Sequence, residues 1–260
     1  MKKLISILLA LTMILSCTLA FAEEASATAA IRYEGPGFDT PEDAVTCYMN
    51  GLKNLDFEQM LSAFAWETLA SHYSAEKLLK RMKAYNPVTA ARMPSFNKFM
   101  ETANLHSLRN NEIRMIYNAL ELYILGDENP QNRTIALKDD TEVDAFLKKF
   151  ENGKLDQLSG MGEIVFLSPD LVTNNKFSLE ANQETLKKQT AQYGADEMVN
   201  IVAAAGVGKG AIVCMPTVAR YGDKWYMVSV SSLLQLILGI EVNRQAFIYT
   251  ENYMEDLFGM

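Results

Sequence analysis

Histidine and cysteine are scarce in this chain: 260 residues hold 2 His and 3 Cys. His72 and His106 are far apart, and there is neither a His-Glu-x-x-His run nor a Cys/His cluster. The pattern therefore offers no zinc centre, and no metal or cofactor is expected. Basic charge is short as well, with 24 Lys and Arg against 32 Asp and Glu and a formal net charge of −8. A nucleic-acid partner is excluded on that ground, because such binding needs a basic surface to displace phosphate counterions. Repeats and low-complexity tracts are missing, which rules out solenoids. Charged residues make up 22% and apolar ones 49%, a share that supports a buried core and excludes a disordered chain.

Two glycine-rich motifs fail on inspection. Gly206-Val207-Gly208-Lys209-Gly210 has no Gly five positions before Gly208, and Gly210 stands where Ser or Thr must hold magnesium, so it reads as a turn. Ser159-Gly160-Met161-Gly162 is a loop, with no nucleophile elbow around its serine.

What is present begins with an export pattern. Lys2 and Lys3 precede an apolar run from Leu4 to Leu15, and Ala20-Phe21-Ala22 follows before Glu23-Glu24. This order is that of a secretory signal cut after Ala22, so the expected location is secreted or associated with a bacterial cell envelope. A rival reading places a lipid on Cys17, after Ile14-Leu15-Ser16. Beyond the signal, Leu233 to Ile240 is the most apolar run and is far below the ~17 residues of a spanning helix, so no transmembrane helix is expected after signal removal. The organisation read from this is 1–22 signal, 23–39 linker and 40–260 a single α+β domain.

Thr40-Pro41-Glu42-Asp43 is a helix start, with Thr40 capping, Pro41 at the first turn and two acids at the positive dipole end. Ala44, Val45, Tyr48, Met49 and Leu52 follow at helical spacing, predicting a helix to about Lys53. Asp56 and Gln59 form a capping-box pattern for a second helix, and Ser74 caps a third that ends by Asn86-Pro87. Helical periodicity holds from Ser95 to Leu125. After the break at Gly126 to Pro130, Arg133 to Leu137 reads as a short strand, Thr141 to Phe150 as a helix and Glu163 to Leu167 as a strand stopped by Ser168-Pro169. A strand at Phe177 to Leu179 precedes a helix capped by Asn182 and running toward Ala205. Ala211 to Val230 is a hairpin around Gly222-Asp223-Lys224, with Pro216 marking an edge or bulge. The stripe Val242, Ala246, Tyr249, Tyr253 and Leu257 predicts a terminal helix that packs on the core or docks a partner.

Thr40-Pro41-Glu42-Asp43-Ala44-Val45, Tyr48 and the segment Leu52 to Met60 resemble the opening of the nuclear-transport-factor-2-like superfamily. Asp223-Lys224-Trp225-Tyr226-Met227-Val228 resembles its late strands. The resemblance implies a strongly curved antiparallel sheet, cone-like, wrapped on helices around a pocket, with residues about 86–160 as a large helical elaboration. It also implies a superfamily of ketosteroid isomerase-like and dehydratase-like enzymes beside many binding modules, a range that selects no single activity.

The chemistry on offer is thin. His72, with Trp66 and Tyr73 nearby in sequence, is a candidate general base if Glu67 or Asp56 orients it, and Asp56 is the second catalytic candidate. His106 beside Asn104 reads as a helix-end residue. Asp127-Glu128, Asp139-Asp140 and Glu255-Asp256 lack the ligand alternation of a calcium loop and read as turns and caps. Asn132-Arg133-Thr134 matches a glycosylation acceptor of little use in a bacterial chain. Cys47 and Cys214 allow one disulfide at most and read more simply as buried thiols. The expectation is a non-catalytic module binding a small-molecule ligand or an envelope protein. An isomerase- or dehydratase-type enzyme and a dimerisation domain that forms a homodimer stand as alternatives.

Overall fold

Helix α1 (Pro41–Lys53) forms as its sequence dictates. The Thr40 side chain accepts from the Asp43 N–H at 3.1 Å, Glu42 and Asp43 sit in the first turn and Lys53 in the last. The computed structural model describes residues 32–85, 94–126, 135–167, 179–230 and 246–251, and residues from Tyr33 onward belong to one unit. Several expectations lie outside the described residues: the export segment with Cys17, the breaks at Asn86-Pro87 and after Gly126, the Asn132 acceptor, Ser168-Pro169, the Leu233 to Ile240 run and Glu255-Asp256. Among the described residues no helix is long and apolar enough to cross a membrane.

The chain then turns a tight corner. Leu55 adopts a left-handed φ of 53°, and Asp56 caps α2 (Phe57–Ser62) by accepting from the Gln59 N–H at 2.9 Å. Gln59 does not complete a reciprocal box. The Asp56 N–H is already bonded to the Gly51 carbonyl at 2.8 Å, and the Gln59 side chain accepts from Asn54 instead. Helix α3 (Trp66–His72) follows, and then α4 (Ala75–Met82), capped by Ser74. Helix α4 stops at Lys83, whose φ of 49° ends it before Asn86-Pro87 is reached.

Helix α5 (Lys98–Leu125) spans 28 residues and is capped by Asn97. It lies in the segment assigned above to a helical elaboration, and it sends Met115, Ile116, Ala119 and Tyr123 into the main core with Tyr48, Met49, Leu61 and Phe64 of the first helices. Full burial of each such side chain contributes roughly 1.5–3 kcal/mol. Helix α6 (Asp140–Glu151), capped by Asp139, has no buried residue.

The strands are β1 (Val165–Leu167), β2 (Glu197–Asn200), β3 (Val202–Val207), β4 (Gly210–Cys214), β5 (Thr217–Tyr221), β6 (Lys224–Ser229) and β7 (Ile248–Thr250), with α7 (Leu179–Tyr193) between β1 and β2. Residues 135–137, the described part of the strand read over Arg133 to Leu137, have no regular structure. One sheet has the order β1-β3-β4-β7 and the other β2-β5-β6, all antiparallel. The two share a ribbon: β2 runs on into β3 and β4 into β5, with the bend at Ile201 and Pro216, where the Ile201 N–H donates to the Pro216 carbonyl at 3.1 Å. Pro216 cannot donate to a ladder, and the register slips between Thr217 and Val218, so the ribbon bends sharply there. The result is an α+β fold with a strongly curved antiparallel arrangement packed on helices.

Two expectations are corrected. The helix expected to be capped by Asn182 already begins at Leu179, the last residue of an expected strand, and it does not run to Ala205; it stops at Gly194, at φ 65°, and β2 and β3 follow. Alanines at 203–205 favour a helix in isolation, yet pairing with β4 and burial of Val202 and Ala203 override that preference. Within the terminal stripe, Ile248–Thr250 is a strand on β4, with Tyr249 opposite Ile212. The outer edge of β6 is closed by local chain. Phe38 exchanges bonds of 3.0 and 2.8 Å with Trp225, and Ala63 and Ala65 bond Met227 at 2.9 and 3.0 Å.

Candidate functional site

The face of α1 turned away from the core carries Asp43, Thr46, Cys47 and Asn50, the i, i+3, i+4, i+7 complement of its buried stripe. Together with Gly37, Phe38, Asp39, Gln59 and Lys224 these residues line an open groove of about 500 Å³. Its walls come from three places brought together by folding: the segment before α1, the start of α2 and the first residue of β6. Gly37 is required where it stands, since its φ is +81° and a Cβ there would meet the Tyr226 ring and the Lys224 Cβ at 2.5–2.8 Å.

Of the two carboxylates in the groove, Asp39 is ion-paired and Asp43 accepts from a hydroxyl. Lys224 Nζ lies 2.6 Å from Asp39 Oδ1. The hydrogen bond and charge of Lys224 hold the Asp39 carboxyl below its usual range, and Asp39 holds the Lys224 ammonium above its own. Thr40 donates its hydroxyl to Asp43 at 2.6 Å. The Cys47 thiol is half-buried, 3.7 Å from both the Gln59 carbonyl and the Ser62 hydroxyl, and burial raises its pKa. A thiol shifted upward is a weak nucleophile at neutral pH, so this cysteine contributes shape and a weak donor. What the groove presents is hydrogen-bonding capacity of both kinds beside one ion pair.

The residues nominated from sequence stand elsewhere. Asp56 is the N-cap of α2, its carboxylate accepting the Gln59 N–H. His72 is the last residue of α3 and exposed; its Nδ1 lies 2.8 Å from the Thr68 carbonyl and 3.1 Å from the Ser71 hydroxyl, and its ring is 5.3 Å from that of Tyr221. No hydrogen bond or ion pair joins Asp56 or Glu67 to His72 among the described residues. Glu67 accepts from the Tyr33 N–H at 2.7 Å through Oε1, while its Oε2 is buried without a hydrogen-bond partner among the described residues. His106 lies in the interior of α5 rather than at a helix end, edge-on to Tyr33 at 5.8 Å. Among the described residues no three His, Cys, Asp or Glu side chains converge as a metal site. Cys47 and Cys214 are free thiols; Cys214 is buried 3.4 Å from Met49 Sδ, and burial pushes it up to about 12.

Sequence reading missed the groove residues Asp39, Asp43, Asn50 and Lys224. The polar face of the first amphipathic helix was an available signal for Asp43 and Asn50, whereas nothing in the sequence links Asp39 to Lys224, 185 positions away. It also missed the buried carboxylates. Glu34 accepts from the Thr68 N–H at 2.8 Å and its hydroxyl at 2.5 Å, and Glu112 accepts from the Val230 N–H at 2.9 Å.

No family model matches the chain, and no curated protein does. Among solved structures it is similar to a cystatin-like protein from Ruminococcus gnavus ATCC 29149, at 12% identity and a TM-score of 0.42, over 81% of this chain. The chain spans 44% of that neighbour's length. The resemblance to the nuclear-transport-factor-2-like superfamily is corrected: no family model matches the chain, and the solved structure it is similar to is described as cystatin-like. The motifs that carried it, Thr40 to Val45 with Tyr48, Leu52 to Met60 and Asp223 to Val228, act in this fold as a capped helix, the corner into α2 and a turn with its strand, roles common to many architectures. Tyr48, Phe64, Ile212 and Met227 are packed together in the main core.

Proposed function

We propose that this chain is an exported bacterial binding module that holds a small polar ligand in the groove on α1 without turning it over. The observation that supports the reading is the stripe Asp43, Thr46, Cys47 and Asn50 facing the Asp39–Lys224 pair across about 500 Å³. Polar groups already fixed by a cap and an ion pair lose little freedom when a ligand arrives, which favours binding by preorganisation. The thiol with a raised pKa and the carboxylates engaged in caps and pairs suit recognition better than proton transfer. Export rests on the Lys2 to Ala22 pattern, with the envelope or the exterior as destination.

The test is native mass spectrometry of the protein exported by its own host, run beside an Asn50→Ala, Lys224→Met variant. Wild type carrying a small-molecule mass that the variant lacks is the expected result. A bare wild type, or a mass retained equally by the variant, overturns the groove as the site.

A further inference from the structure

Strand β1 is an outer edge of the four-stranded sheet: among the described residues it pairs with β3 on one side and with no strand on the other. The outer edge of β6, by contrast, is closed by Phe38, Ala63 and Ala65. Sheet edges are ordinarily blunted by charge, proline or a covering segment, because their unpaired N–H and C=O groups template further pairing. Ile164-Val165-Phe166-Leu167 holds neither charge nor proline, and Val165 and Phe166 are 53% and 38% exposed.

The direction of the outer groups follows from the ladder. The Gly206 carbonyl accepts from the Gly162 N–H at 2.9 Å, so Gly206 and, by alternation along β3, Ala204 turn their bonding groups to β1. Val165 stands opposite Ala204 and turns its own to β3, which leaves those of Ile164 and Phe166 pointing outward. A second copy running antiparallel matches bonding groups only where these residues oppose each other. With Ile164 of one copy opposite Phe166 of the other, and the reverse, every outward group of both residues is engaged about a two-fold axis at Val165; a shift by two residues leaves half of them unpaired. That register also sorts the side chains. Val165 meets its own copy across the axis on one face, and Ile164, already packed against the main core, meets Phe166 on the other. Glu163 falls opposite Leu167, and the two Glu163 residues are held about 13 Å apart along the strands, beyond a Debye length at physiological salt. An edge without charge gives a charged peptide nothing to pair with, whereas the chain's own β1 is an apolar strand of matching bonding pattern. The net charge of −8 on each copy opposes approach, and the contact is small beside the ~1,200 Å² of stable interfaces, so the pairing is weak and salt favours it.

We propose that β1 pairs antiparallel with β1 of a second copy of this chain, joining two four-stranded sheets into one about a two-fold axis at Val165. The contact stands apart from the groove on α1 and does not depend on it.

The test is sedimentation equilibrium of the host-exported chain from about 10 μM to about 1 mM, beside amide hydrogen exchange at both ends of that range. A concentration-dependent dimer is expected, with half-association at roughly 100 μM. Exchange should slow with concentration at the Ile164 and Phe166 amides and change little at Val165, whose N–H already bonds β3. Val165→Lys sets two ammonium groups face to face across the axis and should weaken association about ten-fold, through the lost apolar pair and the like-charge pair together. Val165 is exposed, so the variant keeps the fold; if circular dichroism shows otherwise, the wild-type exchange pattern decides alone. A chain that stays monomeric at the highest concentration, a dimer indifferent to Val165→Lys, or slowing centred away from residues 163–167 each overturns the proposal. So does a monomeric chain whose Ile164 and Phe166 amides are protected by a different exported protein.

Discussion

Replacing Gly51 by alanine should destabilise this protein, against the usual effect in a helix. In an exposed helix interior Gly→Ala gains about 1 kcal/mol, because alanine loses less backbone freedom on folding. Gly51 is buried where α1 passes α2, and a Cβ there would meet the Met60 backbone nitrogen and Met60 Cγ at 2.6 Å and the Asp56 carbonyl at 3.0 Å. Two of those neighbours are backbone atoms held by the Asp56–Gly51 and Met60–Asp56 hydrogen bonds, so no side-chain rotation relieves the overlap. Overpacking costs about 1–3 kcal/mol, and with fixed backbone atoms in the overlap the cost falls in the upper part of that range, about 2–3, so against a gain near 1 the net loss should be about 1–2 kcal/mol. Urea unfolding followed by far-UV circular dichroism measures it as a lower midpoint at unchanged slope. Adding Met60→Ala should recover only part of the loss, since the backbone overlap persists. A Gly51→Ala midpoint equal to or above wild type would refute the close approach of the two helices.

Three further outcomes follow from the same geometry. Asp56→Ala should cost about 1 kcal/mol while Asp56→Asn costs only a few tenths, because an amide oxygen caps as a carboxylate does; equal losses in urea titrations would show that the charge itself matters. Lys83→Gly should stabilise by about 0.5–1 kcal/mol, since Lys83 ends α4 in the left-handed region at φ 49°; no gain in the urea midpoint would argue against that cap. Alkaline pH should destabilise the fold, and the sign is set by Cys214. Its folded pKa is pushed up to about 12 from an ordinary 9.0, so between those values the unfolded chain releases a proton that the folded chain keeps. Stability is then fully present below about pH 9 and falls by about 1.4 kcal/mol per pH unit above it, and the slope should flatten in Cys214→Ala.

Local rules made the helical starts readable before any coordinates. Thr40, Asp56 and Ser74 each cap as their side chains predict, because a cap depends on residues three positions apart and little else. Of the hairpin read over Ala211 to Val230, the part from Thr217 to Ser229 was equally plain, its turn at Gly222 being adjacent in sequence to both arms, whereas Gly210–Cys214 pairs with β3 and β7 in the other sheet instead. Errors arose where distant partners decide. Ala203 to Ala205 become strand only because β4 and β1 lie on either side, and Tyr249 becomes strand only through pairing with Ile212. Family likeness misled for a related reason: caps and turn-flanking aromatics report local physics shared by many folds. The groove was out of reach since Lys224 and Asp39 meet only once β6 lies beside the segment before α1. Glu112 and Glu34 were hidden too, their partners being single backbone or hydroxyl donors far along the chain.

The most direct measurement of the central claim is an amide chemical-shift comparison of the host-exported protein before and after its ligand is stripped away. Binding on α1 predicts changes clustered at residues 37–50, 59 and 224. Identical spectra, or changes centred away from these residues, would contradict it.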